Sequence, residues 1–133
     1  GEESAFAYRT SVYQTLPCVI VKAVLRLQPG DPETIGQTMR TLMKKRKASQ
    51  PLELPSAGST FKRPTGYFAG PLIEQDGLKG CGVGGAEVSK KHAGFIVNTG
   101  GATAEDIKKT IAMVQSRVWE TSGVRLEPEV RIW

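Results

Sequence analysis

Apolar and polar positions alternate from Val21 onward, with Val21, Ala23, Leu25 and Leu27 on one side and Lys22, Arg26 and Gln28 mostly on the other, which predicts a β-strand over residues 19–27. Gln28-Pro29-Gly30 turns the chain, and Asp31 before Pro32 reads as a helix N-cap followed by proline at the first helical position. Ile35, Met39, Leu42 and Met43 then repeat at i, i+4, i+7 and i+8, one apolar stripe of a helix that Pro51 ends. Pro71 and Gly77 bracket a short helix, and Phe95-Ile96-Val97 is a buried-strand run closed by the turn Asn98-Thr99-Gly100-Gly101. Thr103 and Asp106 form a capping box ahead of a stripe at Ile107, Ile111, Val114 and Val118, and Gly123 stops that helix. Val124, Leu126, Val130 and Ile132 predict a last strand interrupted by Pro128. Helices and strands do not alternate as regular crossover units. The expected class is therefore α+β, a two-layer sandwich of a mixed or antiparallel sheet with two main helices and one short helix.

Composition narrows the function classes. With 133 residues, 39% apolar and 23% charged, the chain can bury a core without metal or disulfide staples. No run approaches the roughly 18–20 apolar residues of a membrane helix, so no membrane partner is expected. Gly1-Glu2-Glu3-Ser4 is unlike a signal peptide, and the start is expected to be a cut. Cys18 and Cys81 have no His or Cys at metal-ligand spacing, which implies reduced thiols, a cytoplasmic setting and no metal. The net charge of +5 suits polyanions in general, but aromatics are only 7% of the chain, few for a nucleic-acid platform. Lys44-Lys45-Arg46-Lys47 reads as a solvated helix end, favoured by the macrodipole. Gly80-Cys81-Gly82-Val83-Gly84-Gly85 matches G-x-G-x-x-G but lacks the strand-to-helix context of a dinucleotide site, so its glycines are assigned to close backbone packing.

The chemistry concentrates in Pro55-Ser56-Ala57-Gly58-Ser59-Thr60-Phe61-Lys62-Arg63-Pro64. Prolines at both ends exclude a regular helix and predict a shaped loop. Ser59 either ties up loop backbone or, beside Lys62 and Arg63, serves proton transfer to an anionic ligand.

This decapeptide lies in an ordered series: Tyr8-Arg9-Thr10-Ser11 before it, then Gly70-Pro71-Leu72-Ile73-Glu74 with Gly77-Leu78-Lys79-Gly80, Val88-Ser89-Lys90-Lys91-His92-Ala93-Gly94-Phe95-Ile96-Val97-Asn98, and Leu126-Glu127-Pro128-Glu129-Val130-Arg131. The series resembles the C-terminal part of UDP-N-acetylenolpyruvoylglucosamine reductases, flavoenzymes of bacterial peptidoglycan (cell-wall) precursor synthesis. The resemblance implies that NADPH reduces bound FAD, which passes a hydride to the enolpyruvyl double bond of UDP-N-acetylglucosamine enolpyruvate, giving UDP-N-acetylmuramate. It implies a substrate-binding domain at 18–133, with 1–17 as a remnant of the flavin side and linker. The N-terminal FAD-binding domains are expected to be a missing partner, and the isolated chain to bind no cofactor and to be inactive.

By the match, Arg9 stabilises charge on the substrate carboxylate, Ser59 donates the proton, and Glu129 stands beside the same carboxylate, with a raised pKa or a strong pairing expected. Tyr8, Gln50, Lys62, Arg63 and His92 are the implied substrate contacts. Taken alone, His92 also fits a structural role, Glu127 and Glu129 fit outward strand positions, and Tyr67 fits either a uracil stack or a surface turn. One subclass carries Asn in place of Arg63, Lys near Gln50, Gln near His92 and an added tyrosine-bearing loop; the departures point to the other subclass. A UDP-sugar-binding module without catalysis and a basic nucleic-acid binder are the competing functions.

Overall fold

Asp31 opens the first helix as its position implies: its carboxylate accepts from the Thr34 hydroxyl at 2.7 Å and the Thr34 N–H at 2.8 Å. Those bonds, the hydroxyl's first, hold the Asp31 carboxyl below its ordinary 3.8. The helix, α1, runs Pro32–Ser49 in the computed structural model, which describes residues 4–7 and 10–132. The chain divides into two units, Gly1–Thr34 and Ile35–Trp133, and the boundary expected after residue 17 falls inside the first.

In the first unit, Ala7 and Thr10 form a two-bond bridge, Val12–Gln14 makes a single 3-10 turn, and the Ser4 and Tyr13 hydroxyls lie 3.0 Å apart. The strand expected over residues 19–27 does not form: the segment carries no ladder, and Val21 is 93% exposed. A strand exists through its neighbours' hydrogen bonds, and no neighbour for these residues stands among the described ones.

The second unit holds β1 (Ser56–Ser59), α2 (Ala69–Gln75), β2 (Gly82–Val83), β3 (Ala86–Val88), β4 (Phe95–Asn98) and α3 (Ala104–Ser122). All strand pairs are antiparallel, in the order β1-β4-β3-β2. The α+β layering matches the expectation. α3 supplies Ile111, Val114 and Val118 to a core shared with Leu72 and Ile73 of α2, Ala86 and Val88 of β3, and Ile96 of β4. Its start is the capping box read from Thr103 and Asp106, and its end is Gly123 in left-handed geometry, φ 66°. Thr110, fully buried, accepts from the Val83 N–H at 3.1 Å and ties α3 to β2.

Two more expectations change. α2 starts two residues before Pro71, because a helix's first turn has no N–H to lose and admits proline there. The last strand reduces to one bridge, Phe61 to Pro128, made by the Lys62 N–H to the Glu127 carbonyl and the Glu129 N–H to the Thr60 carbonyl, so that it needs no N–H from Pro128; Leu126 is buried, its carbonyl accepting from Gln115 Nε2 at 2.8 Å.

The glycine-rich run is a hairpin, as its packing role requires. Gly84, φ 56°, takes the first position of the two-residue turn between β2 and β3. A Cβ on Gly82 would lie 1.8 Å from the Ala86 carbonyl oxygen, and one on Gly85 would lie 2.3 Å from that of Gly100.

Candidate functional site

The expected Ser59 loop is a strand carrying a β-bulge. Ser56 pairs with Val97 and Ser59 with Phe95, so three steps along β1 span two along β4. Gly58 absorbs the extra residue with φ 86°, a left-handed conformation that glycine adopts without a Cβ penalty. In a regular strand, positions three apart point to opposite faces. The bulge instead puts Ser56 and Ser59 both on the Phe95/Val97 face, away from the α3 core into which Ile96 packs. Thr60 then anchors the strand. Buried, it donates its N–H to the Gly94 carbonyl at 2.8 Å, accepts from the Ile96 N–H on its hydroxyl at 3.1 Å, and accepts the Glu129 N–H on its carbonyl at 2.8 Å. Ser59 itself is exposed, and its hydroxyl forms no hydrogen bond among the described residues. The alternative in which it merely ties up backbone is therefore not what the fold does with it.

Ser59 and Phe95 line a hollow of about 520 Å³ together with the end of α1 and the turn after it: Arg46, Gln50, Pro51, Leu52 and Leu54. Lys91 clamps that segment to the sheet, its Nζ reaching the Lys47 carbonyl at 3.1 Å and the two Glu53 carboxylate oxygens at 2.9 and 3.0 Å. The Lys91 hydrogen bond holds the Glu53 carboxyl below its ordinary 4.5. A carboxyl depressed in the folded state stabilises it above the unfolded pKa and loses that contribution as pH falls through the folded value. Wild type should thus melt higher than Glu53→Gln at pH 6, and the gap should close as pH falls from 4.5 through the lowered folded-state value; a gap that persists in strong acid would refute the clamp.

Lys62 and Arg63 stand apart from this hollow. They line a second depression of about 350 Å³ with Thr65, Tyr67, Arg125 and Glu127. Lys62 pairs with Glu127 at 3.0 Å, and the Arg63 guanidinium lies 3.9 Å over the Phe68 ring. Two residues, Thr60 and Phe61, thus carry the chain from one depression to the other. Glu129 is exposed, with its backbone one rung from Ser59 through Thr60.

His92 accepts the Gly94 N–H on Nδ1 at 3.1 Å and meets Phe95 edge-on at 5.0 Å, so it buttresses the hollow's aromatic wall without lining it. When neutral it carries its proton on Nε2. Tyr8 and Arg9 lie outside the described residues. Arg46 is the residue that sequence reasoning missed: its spacing of four from Gln50 at a helix end was the available signal.

Among the described residues no cluster could hold a metal. The G-x-G-x-x-G run does not fit a dinucleotide, because the Ala86 and Gly100 carbonyls, the Asp106 carboxylate and the Lys90 side chain already fill the space its glycines leave. Among the described residues no helix is long and apolar enough to cross a membrane.

The family model of the UDP-N-acetylenolpyruvoylglucosamine reductase C-terminal domain matches residues 50–133. UDP-N-acetylenolpyruvoylglucosamine reductases of Syntrophomonas wolfei and Streptococcus equi subsp. zooepidemicus are 49% and 53% identical, over 98% and 99% of this chain and 44% and 45% of theirs. The crystal structure of UDP-N-acetylenolpyruvylglucosamine reductase from Thermus caldophilus aligns with a TM-score of 0.75 at 38% identity, covering 98% of this chain and 47% of that one. The chain spans less than half the length of these relatives.

Proposed function

Because this chain belongs to the UDP-N-acetylenolpyruvoylglucosamine reductase family, matching its C-terminal domain, we propose that it is the substrate side of a reductase that turns UDP-N-acetylglucosamine enolpyruvate into UDP-N-acetylmuramate. The observation that carries this is Ser59: a bulge turns its hydroxyl onto the wall of a hollow, and no described group claims it. In the complete reaction FAD, reduced by NADPH, would supply the hydride.

The chain's own groups account for the rest. When hydride reaches the enolpyruvyl double bond, negative charge spreads into the neighbouring carboxylate, and a fixed guanidinium stabilises it in a water-poor site. Arg9 is assigned that role, with Tyr8 beside it on the substrate. The carbanion then needs a proton. A serine hydroxyl is a weak acid, but it suffices for so basic an acceptor, and Ser59 is assigned as the donor. Glu129, tied to Thr60, is placed by this assignment beside the same carboxylate, where Arg9 offsets its charge. Gln50 in the hollow and Lys62 and Arg63 in the adjoining depression make up the UDP-sugar contacts, and His92 serves the substrate through the Phe95 ring it supports.

The exposed apolar positions of residues 19–27 in the first unit, and separately those of the α1 stripe in the second, where Met39 is 65% exposed, are each assigned to contact with the FAD-binding part of a reductase of the relatives' length. A cytoplasmic location, where UDP-linked precursors are made, follows from the same assignment.

UDP-N-acetylglucosamine tests the substrate assignment on this chain directly. At about 100 times its Kd it should add roughly 2.7 kcal/mol of stability, read as a thermal shift. An unchanged melting temperature with every UDP-sugar tried would reject the assignment.

A further inference from the structure

We infer that Arg46 is a further substrate-binding residue, the anchor for the diphosphate of the nucleotide sugar, and that it also positions Gln50; this deepens the UDP-sugar assignment above and rests on it. Of the basic run at the end of α1, Arg46 is the member that lines the same hollow as Ser59. Lys47 is engaged through its carbonyl by Lys91.

The geometry divides the Arg46 donors in two. Nε donates to Gln50 Oε1 at 3.0 Å, one helical turn on, while the Gln50 N–H donates back to the Arg46 carbonyl at 2.9 Å. The terminal NH₂ groups of the guanidinium have no carboxylate or carbonyl partner among the described residues. Lys62, Lys79, Lys91 and Lys108, by contrast, are each paired with a glutamate. With its oxygen held by Arg46, Gln50 presents its NH₂ as a donor. The hollow therefore offers the Arg46 fork, the Gln50 amide and the Ser59 hydroxyl, a set rich in donors. A ligand with several acceptor oxygens and negative charge complements it, and a guanidinium fork matches phosphate geometry. The C-terminal end of α1 carries partial negative charge, which would repel an anion. A fixed cation at that end is what makes the site usable, and Arg46 is the one that lines it.

The test is titration of UDP-N-acetylglucosamine into the wild-type chain, Arg46→Met and Arg46→Lys across a salt series, with circular dichroism melts alongside. Arg46→Met should weaken binding about 10- to 100-fold, the loss expected for charge-assisted hydrogen bonds, and should flatten the dependence of affinity on salt. Arg46→Lys should recover the salt dependence but only part of the affinity, since an ammonium cannot hold Gln50 and grip two oxygens. Melts should coincide. Wild-type affinity in Arg46→Met, or weakening with an unchanged salt slope, overturns the inference while leaving the UDP-sugar assignment intact. A wild-type chain that binds no UDP-sugar overturns that assignment, and the role of Arg46 falls with it.

Discussion

On the proposed assignment, replacing Ser59 with alanine in a complete reductase is expected to lower kcat by about 10²- to 10⁴-fold, the span that a positioned general acid contributes, and to leave KM within about threefold. The split between the two constants is the informative part. The Ser59 hydroxyl is exposed and free of intramolecular hydrogen bonds among the described residues, so its removal leaves no buried polar group unpaired. Stability should stay within about 0.5 kcal/mol, as at ordinary surface positions. What is lost is a proton at the moment the carbanion needs it, an interaction made in the transition state rather than in the ground state. Ser59→Cys, a stronger acid at the same place, should keep more activity than alanine. Steady-state kinetics on the three proteins decide the matter, and an alanine variant with full kcat would remove Ser59 from the mechanism.

Gly82→Ala is expected to abolish the β2–β3 hairpin. The added Cβ would sit 1.8 Å from the Ala86 carbonyl oxygen and 2.8 Å from the Ala86 carbonyl carbon and the Glu87 Cα, all backbone atoms that cannot rotate away. Overpacking a core with movable side chains costs about 1–3 kcal/mol; a backbone collision exceeds that and must be relieved by separating the strands. Because β3 pairs with β4 and α3 packs on both, the damage spreads to the whole layer. Gly66→Ala provides the contrast. That glycine also has positive φ, 78°, but nothing lies within 4 Å of the site, so the cost is the roughly 1–2 kcal/mol of left-handed strain alone. Denaturant melts should show Gly66→Ala as a shifted two-state transition and Gly82→Ala as loss of the native baseline. A Gly82→Ala protein that melts like Gly66→Ala would contradict the packing argument.

Local chemistry explains what was legible in the sequence. Both long helices announced themselves through caps that act over three residues, Asp31 with Thr34 and Thr103 with Asp106, and α3 through a stripe whose burial agrees with its period. The glycine run was correctly placed in backbone packing, because a phosphate cradle needs a strand before it and a helix after it. The misses share one cause, a dependence on distant partners. Alternation over residues 19–27 records a preference for being a strand, but a strand needs another strand. The bulge was invisible because it is a relation between β1 and β4, and Ser-Ala-Gly-Ser reads equally well as a loop. Arg46 was hidden by averaging: a run of four cations looks like a solvated end until geometry shows which one lines the hollow.

For a protein engineer, the bulge makes β1 a segment whose length can change by one without turning its serine over. Between Ser56 and Ser59, losing one residue leaves two steps facing two along β4, so Ser59 should still stand opposite Phe95 in a regular strand. Exchanging one residue for another there keeps the odd count and alters local strain instead. A graft of this strand into another antiparallel sheet should therefore hold the serine on the same face with or without the extra residue, provided the two cross-strand pairings are kept.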